Sequence, residues 1–432
     1  VQPQEVELLA IGAGPANLAL GIAMEELAPK ELAAGTLIIE QHEDIVWQRG
    51  MLLPWTQSQV SFLKDLVTLR NPRSEYSFVN YLHSIGRLDD FINLGTFTPY
   101  RSEISGYLQW VASSLRDVRV EYGRRCLSIE PGPVENGEVS RWLVRTEDGG
   151  LISARNLAVG AGRDAHIPAE FTALPQERVI HSTRYSERVD RLDPAAVQRV
   201  VVVGGAQSAA ELLWATYQRF PAAQCTMLMR SIGLNAYQSS KFTNELFYPS
   251  FIEEFHAASA DARRQMLREM HVTNYAGLAP SMLETLYREM YQERLQGTER
   301  LRMITMTDIT GARMDGDDVV IDTVDRKTGR SDELRCDIVL LGTGFVPEMP
   351  ALVKRLAEKA GVGEATVDRN YRMRLPQSYT ANCYLQGVNE ATHGIADSLL
   401  SVLAMRAQDI VSDLLARQGA SSSGGALLAN AL

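Results

Sequence analysis

The sequence predicts an α/β fold with two Rossmann-like dinucleotide-binding domains and a small, mainly helical region beside the second. Three observations carry the prediction. Val6–Ile11 is a short apolar run that enters Gly12-Ala13-Gly14-Pro15-Ala16-Asn17 and continues as a helix of small residues. Val200–Val203 enters Gly204-Gly205-Ala206-Gln207-Ser208 in the same way, followed by a helix through Tyr217. The two turns lie about 190 residues apart, too far for one repeated sheet, so each nucleates its own core.

Size and composition agree. A chain of 432 residues has room for two or three cores, and 45 % hydrophobic with 22 % charged residues is an ordinary globular balance. Lys and Arg total 43 against 53 acidic residues, and the net charge of −10 repels polyanions, which argues against nucleic acid as a partner. No stretch approaches the ~20 apolar residues of a membrane helix, and Val1–Glu5 has no leader character, so a cytoplasmic protein is expected. Cys126, Cys225, Cys336 and Cys383 form no CxxC pair and the seven histidines no HExxH, so no disulfide framework, redox dithiol or metal site is expected.

Along the chain, Thr36–Glu40 reads as the second strand of the first unit and ends in an acid. Gln59–Leu82 mixes loop with short helices, and Glu103–Leu115 has the apolar spacing of an amphipathic helix. Residues 119–160 alternate like a meander, with turns at Asn136-Gly137 and Asp148-Gly149-Gly150. Cys225–Arg230 is the second strand of the second unit and ends in a base; Ser231–Gln296 is mostly helical. Strands resume at Val319–Ile321 and at Asp337–Leu341, the latter running into Gly342-Thr343-Gly344-Phe345. These signals place one domain in 1–165 and 335–417, a second in 166–230 and 300–334, the helical region in 231–299 and a flexible tail in 418–432.

A glycine turn between strand and helix lets a phosphate approach backbone N–H groups and the positive end of the helix. Taken alone, such a turn also fits a tight connection with no ligand, though less well. Glu40 strengthens the first copy, because a carboxylate there accepts ribose hydroxyls and repels a 2′-phosphate, favouring FAD or NAD. Arg230 stands at the corresponding place in the second copy, where a guanidinium pairs with a 2′-phosphate, favouring NADPH; it also reads as a plain strand-end charge. Ala206 and Ala209 replace the later glycines of that fingerprint. One FAD site and one NADPH site on a chain without a redox dithiol describe a flavin oxidoreductase that is not a disulfide reductase.

Gly12-x-Gly-Pro-x-Asn-Leu18 and Phe62-Leu-Lys-Asp-Leu-Val-Thr-Leu-Arg-Asn-Pro72 occur together with Ser77–Leu82, Asn93–Phe97, Gly205–Glu211, Asn244–Phe247, Thr273–Tyr275, Leu341–Phe345 and His393–Ser401. With these motifs, from about Glu5 to Leu403, the chain resembles the microbial N-hydroxylating flavoprotein monooxygenases, specifically the L-ornithine N5-monooxygenases of siderophore biosynthesis. The resemblance implies FAD contacts at Gly12, Gly14, Pro15, Asn17, Glu40, Gln41, Trp47, Gln48, Gln59, Cys126, Ser398, Leu399 and Leu400. It implies NADP contacts at Gly205, Ala206, Gln207, Ser208, Arg230, Asn274, Tyr275 and Ala276. Lys64 matches the lysine that holds the substrate carboxylate, beside Asn244, Glu245, Leu246 and Phe247; on composition alone Lys64 is as readily a surface cation. Asn274 and Ser401 match groups at the reacting end of the substrate. Asp397 is expected to cap a helix whose first amides, at Ser398–Leu400, face the flavin; without the family this run reads as a plain capped helix. Gln48 departs from the family's usual Trp-His-x-Gly-Met pattern, which leaves no role here for that histidine.

The implied activity is NADPH-driven, O2-dependent N-hydroxylation of the ornithine side-chain amine through a C4a-hydroperoxyflavin, with family members commonly oligomeric, often tetrameric. Lysine or a diamine such as putrescine is the near alternative, since one methylene in a pocket is worth only ~1–3 kcal/mol. A disulfide reductase and a non-catalytic flavin sensor are the more distant ones.

Overall fold

The computed structural model describes residues 2–238, 240–275 and 277–429, with side chains described as far as Gln418. The first glycine turn belongs to a seven-stranded sheet in the order Arg119–Glu121, Thr36–Ile39, Gln4–Ile11, Leu151–Val159, Trp142–Thr146, Cys126–Pro131. The seventh strand, Asn382–Leu385, forks from Leu151–Val159: Trp142–Arg145 pairs with the first half of that strand, and Asn382–Leu385 runs parallel to its end. Central parallel strands are covered on both faces, which is why Gln4–Ile11 and Thr36–Ile39 are nearly continuous apolar runs. One face carries the Pro15–Leu27 and Arg101–Ser114 helices and the terminal helix from Leu403; the other carries the Ala351–Lys359 helix. The meander is real from Cys126 onward, with Asn136 and Gly137 both at positive φ in the hairpin turn. Arg119–Glu121, expected within it, instead extends the parallel sheet beside Thr36–Ile39.

The second turn belongs to a parallel five-stranded sheet ordered Leu301–Ile304, Gln224–Leu228, Arg199–Val203, Ile338–Leu341, Val179–His181. Ile338–Leu341 was expected in the first domain and pairs here with Arg199–Val203, so the return to the first sheet comes after Leu341. The Gln207–Arg219 and Pro280–Gln296 helices cover one face. A three-stranded antiparallel sheet, Thr307–Asp315, Asp318–Asp325 and Ser331–Cys336, covers the other. The Pro280–Gln296 helix, expected in the substrate region, thus belongs to the core of this sheet through Met282 and Leu286. Of the region 231–299, helices Lys241–Glu245, Pro249–Ala257 and Ala260–Asn274 stand outside that core. The last helix runs Leu403–Ala429, into the Gly/Ser-rich stretch expected to be a tail. Among the described residues no helix is long and apolar enough to cross a membrane.

Candidate active site

The first glycine turn is shaped by two different requirements. Gly12 has φ +90°, and a Cβ there would lie 2.9 Å from the Gly160 carbonyl oxygen, so the turn needs glycine for backbone reasons. Gly14 instead faces open space and precedes Pro15, so the Pro15–Leu27 helix begins with no side-chain cap. That uncapped helix end is the feature an anionic group uses. Glu40 hangs beside it: its Oε2 accepts from Ala13 N at 2.9 Å and its Oε1 from His42 N at 3.1 Å. Ala13, Gly14, Pro15, Glu40, Trp47 and Gln48 line one cleft.

Asn17, expected as a ligand contact, works from beneath. It is fully buried, donating to Ile11 O (2.9 Å) and Gly12 O (2.8 Å) and accepting from Gln386 Nε2 (2.7 Å). Its side chain is therefore occupied in holding the turn. Gln48 sits in the left-handed region at φ +52°, while Gln41 and Gln59 are exposed. Cys126 opens its strand two residues after Arg124, whose N–H donates to Glu40 O at 2.8 Å; burial pushes its thiol up to about 11, which makes it an inert neighbour of the cleft.

A second cleft is lined by Lys64 and Leu400, the Phe62–Lys64 turn packing against the Leu400–Val402 turn. Burial lowers the Lys64 ammonium from its ordinary value. Its Nζ lies 4.3 Å from the centroid of the Tyr248 ring. Asn244 and Glu245 are exposed, whereas Leu246 and Phe247 are half-buried and Phe247 packs against Ile252, Ala396 and Val402. Lys64, the 244–248 segment and the 396–402 segment thus meet in one place. Ser401 Oγ is buried there without a hydrogen-bond partner, a polar group left over by the fold. Asn274 ends the Ala260–Asn274 helix, which packs on Glu390–His393 and Ile395–Ser398. Next to it Tyr275 Oη donates to Glu390 Oε2 at 2.8 Å, and Glu390 pairs with Arg163 at 3.0 Å. Burial, then the Glu390 charge, pushes Tyr275 up to about 12. Ala276 lies outside the described residues.

Asp397 corrects an expectation. Its carboxylate turns away from the Ser398–Leu400 amides, accepting from Asn389 N at 2.7 Å and pairing with the buried Arg406 at 3.0 Å. Arg406 also donates to the Asp397 carbonyl at 2.6 Å. A buried guanidinium requires a counter-charge, and that demand outweighs a helix cap. The segment is accordingly two short 3-10 turns, Ile395–Ser398 and Leu400–Val402, ahead of the Leu403 helix.

At the second glycine turn, Gly204 has φ +138° and a Cβ there would sit 2.5 Å from Gly342 O. Ala206 begins the Gln207–Arg219 helix, again without a side-chain cap. Gln207 is occupied structurally, donating to Glu211 Oε1 (2.9 Å) and accepting from Ala279 N (2.8 Å). Ser208 is half-buried, and Arg230 is exposed two residues past the strand end.

Residues 4–347 match the sequence profile of L-lysine 6-monooxygenase/L-ornithine 5-monooxygenase. The chain belongs to this family. It is 37 % identical to an L-ornithine N(5)-oxygenase of Arthrobotrys oligospora, over 94 % of this chain and 88 % of that one. It is 36 % identical to an L-ornithine N(5)-monooxygenase of Pseudomonas aeruginosa, over 94 % and 93 %. A solved ornithine N-hydroxylase of Kutzneria sp. 744, described with reduced FAD, NADP+ and L-ornithine, superposes with a TM-score of 0.90 at 34 % identity, covering 96 % of this chain and 100 % of that one.

Sequence reasoning missed a bridge between the two nucleotide cores of this family member. Arg101, at the start of the Arg101–Ser114 helix, pairs with Glu211 through two bonds of 2.8 and 2.7 Å and donates to Met51 O at 3.2 Å. Both side chains are buried. Glu211 stood within a quoted motif; the available signal was an acid flanked by the apolar residues Ala209, Ala210, Leu212 and Leu213 of a buried helix face.

Proposed function

We propose that the protein N-hydroxylates the side-chain amine of L-ornithine, using FAD, NADPH and O2, and so supplies a hydroxylamine for hydroxamate siderophores. The carrying observation is that Lys64 lines a cleft beside the Leu400–Val402 turn and lies against the Tyr248 ring, while Ser401 Oγ on that turn is buried without a partner, on a chain of this family. The named relatives support ornithine over lysine.

The residues present fit both cofactors. FAD fits the first turn, where Gly14 leaves open space before an uncapped helix and Glu40 offers acceptor oxygens; Gln41, Trp47, Gln48, Gln59, Cys126 and Ser398–Leu400 complete the proposed contacts. NADPH fits the second, where Gly205–Ser208 open an uncapped helix and Arg230 offers an exposed guanidinium. When bound, the flavin reduced by NADPH supplies the electrons that activate O2. Lys64 holds the substrate carboxylate, and Asn244 with Glu245, Leu246 and Phe247 forms the wall beside it. Ser401 and Asn274 stand toward the amine, with Asn274, Tyr275 and Ala276 also on the nicotinamide side.

The amine must be neutral to react, yet a free one is ~0.1 % neutral at pH 7 or less. Desolvation of the bound amine supplies the bias, since burial disfavours its charged form. Aerobic assay of N-hydroxylated product with ornithine, lysine and putrescine tests the reading. Ornithine is expected to be preferred; hydrogen peroxide without hydroxylated amine from any of the three would refute it. The setting we infer is cytoplasmic. A homo-oligomer is supported by Tyr287, Tyr291 and Leu295, exposed one turn apart on the Pro280–Gln296 helix, and sedimentation of the purified enzyme checks it.

A further inference from the structure

We propose that Tyr248 is a positioning residue of the carboxylate subsite, its ring holding the Lys64 ammonium where the amino-acid carboxylate meets it; this rests on the reading of Lys64 given above. A lysine carries a compact charge on four flexible carbons, so a free Lys64 would sample many positions and lose that freedom on every binding event. The ring face, 4.3 Å from Nζ, restricts it beforehand.

The nature of that partner matters. An acidic neighbour would fix Lys64 equally well, but it would also neutralise it and compete with the incoming carboxylate. Among the described residues no carboxylate pairs with Lys64. The adjacent Asp65 is fully engaged elsewhere, accepting from the Val67, Thr68 and Phe78 amides and the Thr68 hydroxyl. An aromatic face attracts the ammonium without neutralising it, leaving the full charge and the N–H groups turned from the ring for the substrate.

Tyr248 is itself held. Pro249 restricts the residue before it to extended backbone, and Tyr248 lies at φ −91°, ψ 153° as the N-cap of the Pro249–Ala257 helix. Its N–H donates to Glu245 O at 3.2 Å, and the preceding Phe247 is anchored against Ala396 and Val402, which precede and follow Ser401 in the sequence. The ring therefore couples the Lys64 turn to the same segment that carries Ser401, and the subsite is complete only when the two loops are together.

The test is steady-state kinetics on the FAD-loaded enzyme, with calorimetric binding of L-ornithine to its NADP+ complex. Tyr248→Leu is expected to raise the ornithine KM and Kd about 3- to 10-fold. Its kcat, NADPH KM and flavin content should stay as in the wild type. Tyr248→Phe, which keeps the ring, should restore wild-type binding. In a Lys64→Ala background, Tyr248→Leu should add nothing, because the ring acts only through the ammonium. Unchanged ornithine binding in Tyr248→Leu, with Lys64→Ala strongly impaired, overturns the role of Tyr248 and leaves that of Lys64 standing. Unchanged binding in Lys64→Ala overturns the carboxylate reading itself. An equal loss from Tyr248→Leu in both backgrounds shows a ring acting independently of Lys64 and also overturns the proposal.

Discussion

Glu40 and Arg230 follow the second strands of two similar βαβ units, and the proposed division of the nucleotides between the units rests on their opposite charges. Because Arg230 is exposed, its loss should act on the ligand and leave packing alone. Arg230→Ala is expected to raise the NADPH KM by about 10- to 100-fold while leaving that for NADH unchanged, as a charge-assisted phosphate contact is worth ~1.5–3 kcal/mol. Steady-state comparison of the two coenzymes checks it. Glu211 is the opposite kind of residue, buried and paired, so Glu211→Ala strands the Arg101 charge inside the molecule. A loss of about 3–5 kcal/mol in denaturant unfolding is expected. The place of Arg230 was legible because it depends only on sequence position after a strand. The partner of Glu211 lies 110 positions away, and nothing local in the sequence names it.

Among elements, the Gln207–Arg219 helix closely approaches the end of the Ile338–Leu341 strand. A Cβ at Gly342 would fall 2.5 Å from Ala209 Cα, a backbone atom that cannot swing aside. Gly342→Ala should lift the helix start from the sheet, weakening NADPH binding and lowering stability by at least the ~1–3 kcal/mol of overpacking. Thermal unfolding with and without NADP+ would show both effects. The glycine turns, their strands and their helices could be read from the sequence because each is a local alternation of apolar and small residues. Sheet membership of Ile338–Leu341 could not, since a buried parallel strand is an apolar run that fits either sheet. The turn at Asp397 was misread for a related reason: its geometry answers to Arg406 and Asn389, a buried demand that a capping pattern does not reveal.

The molecule as a whole should lose stability in mild acid. His393 is buried, stacked at 4.1 Å on Tyr371 and facing Asp397, and burial holds it down to about 4, against the opposing pull of the Asp397 charge. Above pH 6.5 the ring is neutral folded or unfolded, so its contribution is constant. As pH falls from 6.5 toward 4, the unfolded chain takes up a proton that the folded one refuses, and about 3 kcal/mol drains away. His256, also lowered, chiefly by burial and then by Arg369, acts in the same direction. Urea midpoints across that window should fall steeply in the wild type and less steeply in His393→Gln.

One connection bears on how the enzyme is made. Asn17, which holds the first glycine turn, is itself braced by Gln386, and Asn382–Leu385 extends the sheet beneath it. During synthesis the turn is made 369 positions before its brace. The flavin pocket is therefore finished only after a segment 369 positions further on has folded against the turn, and full cofactor loading waits for both.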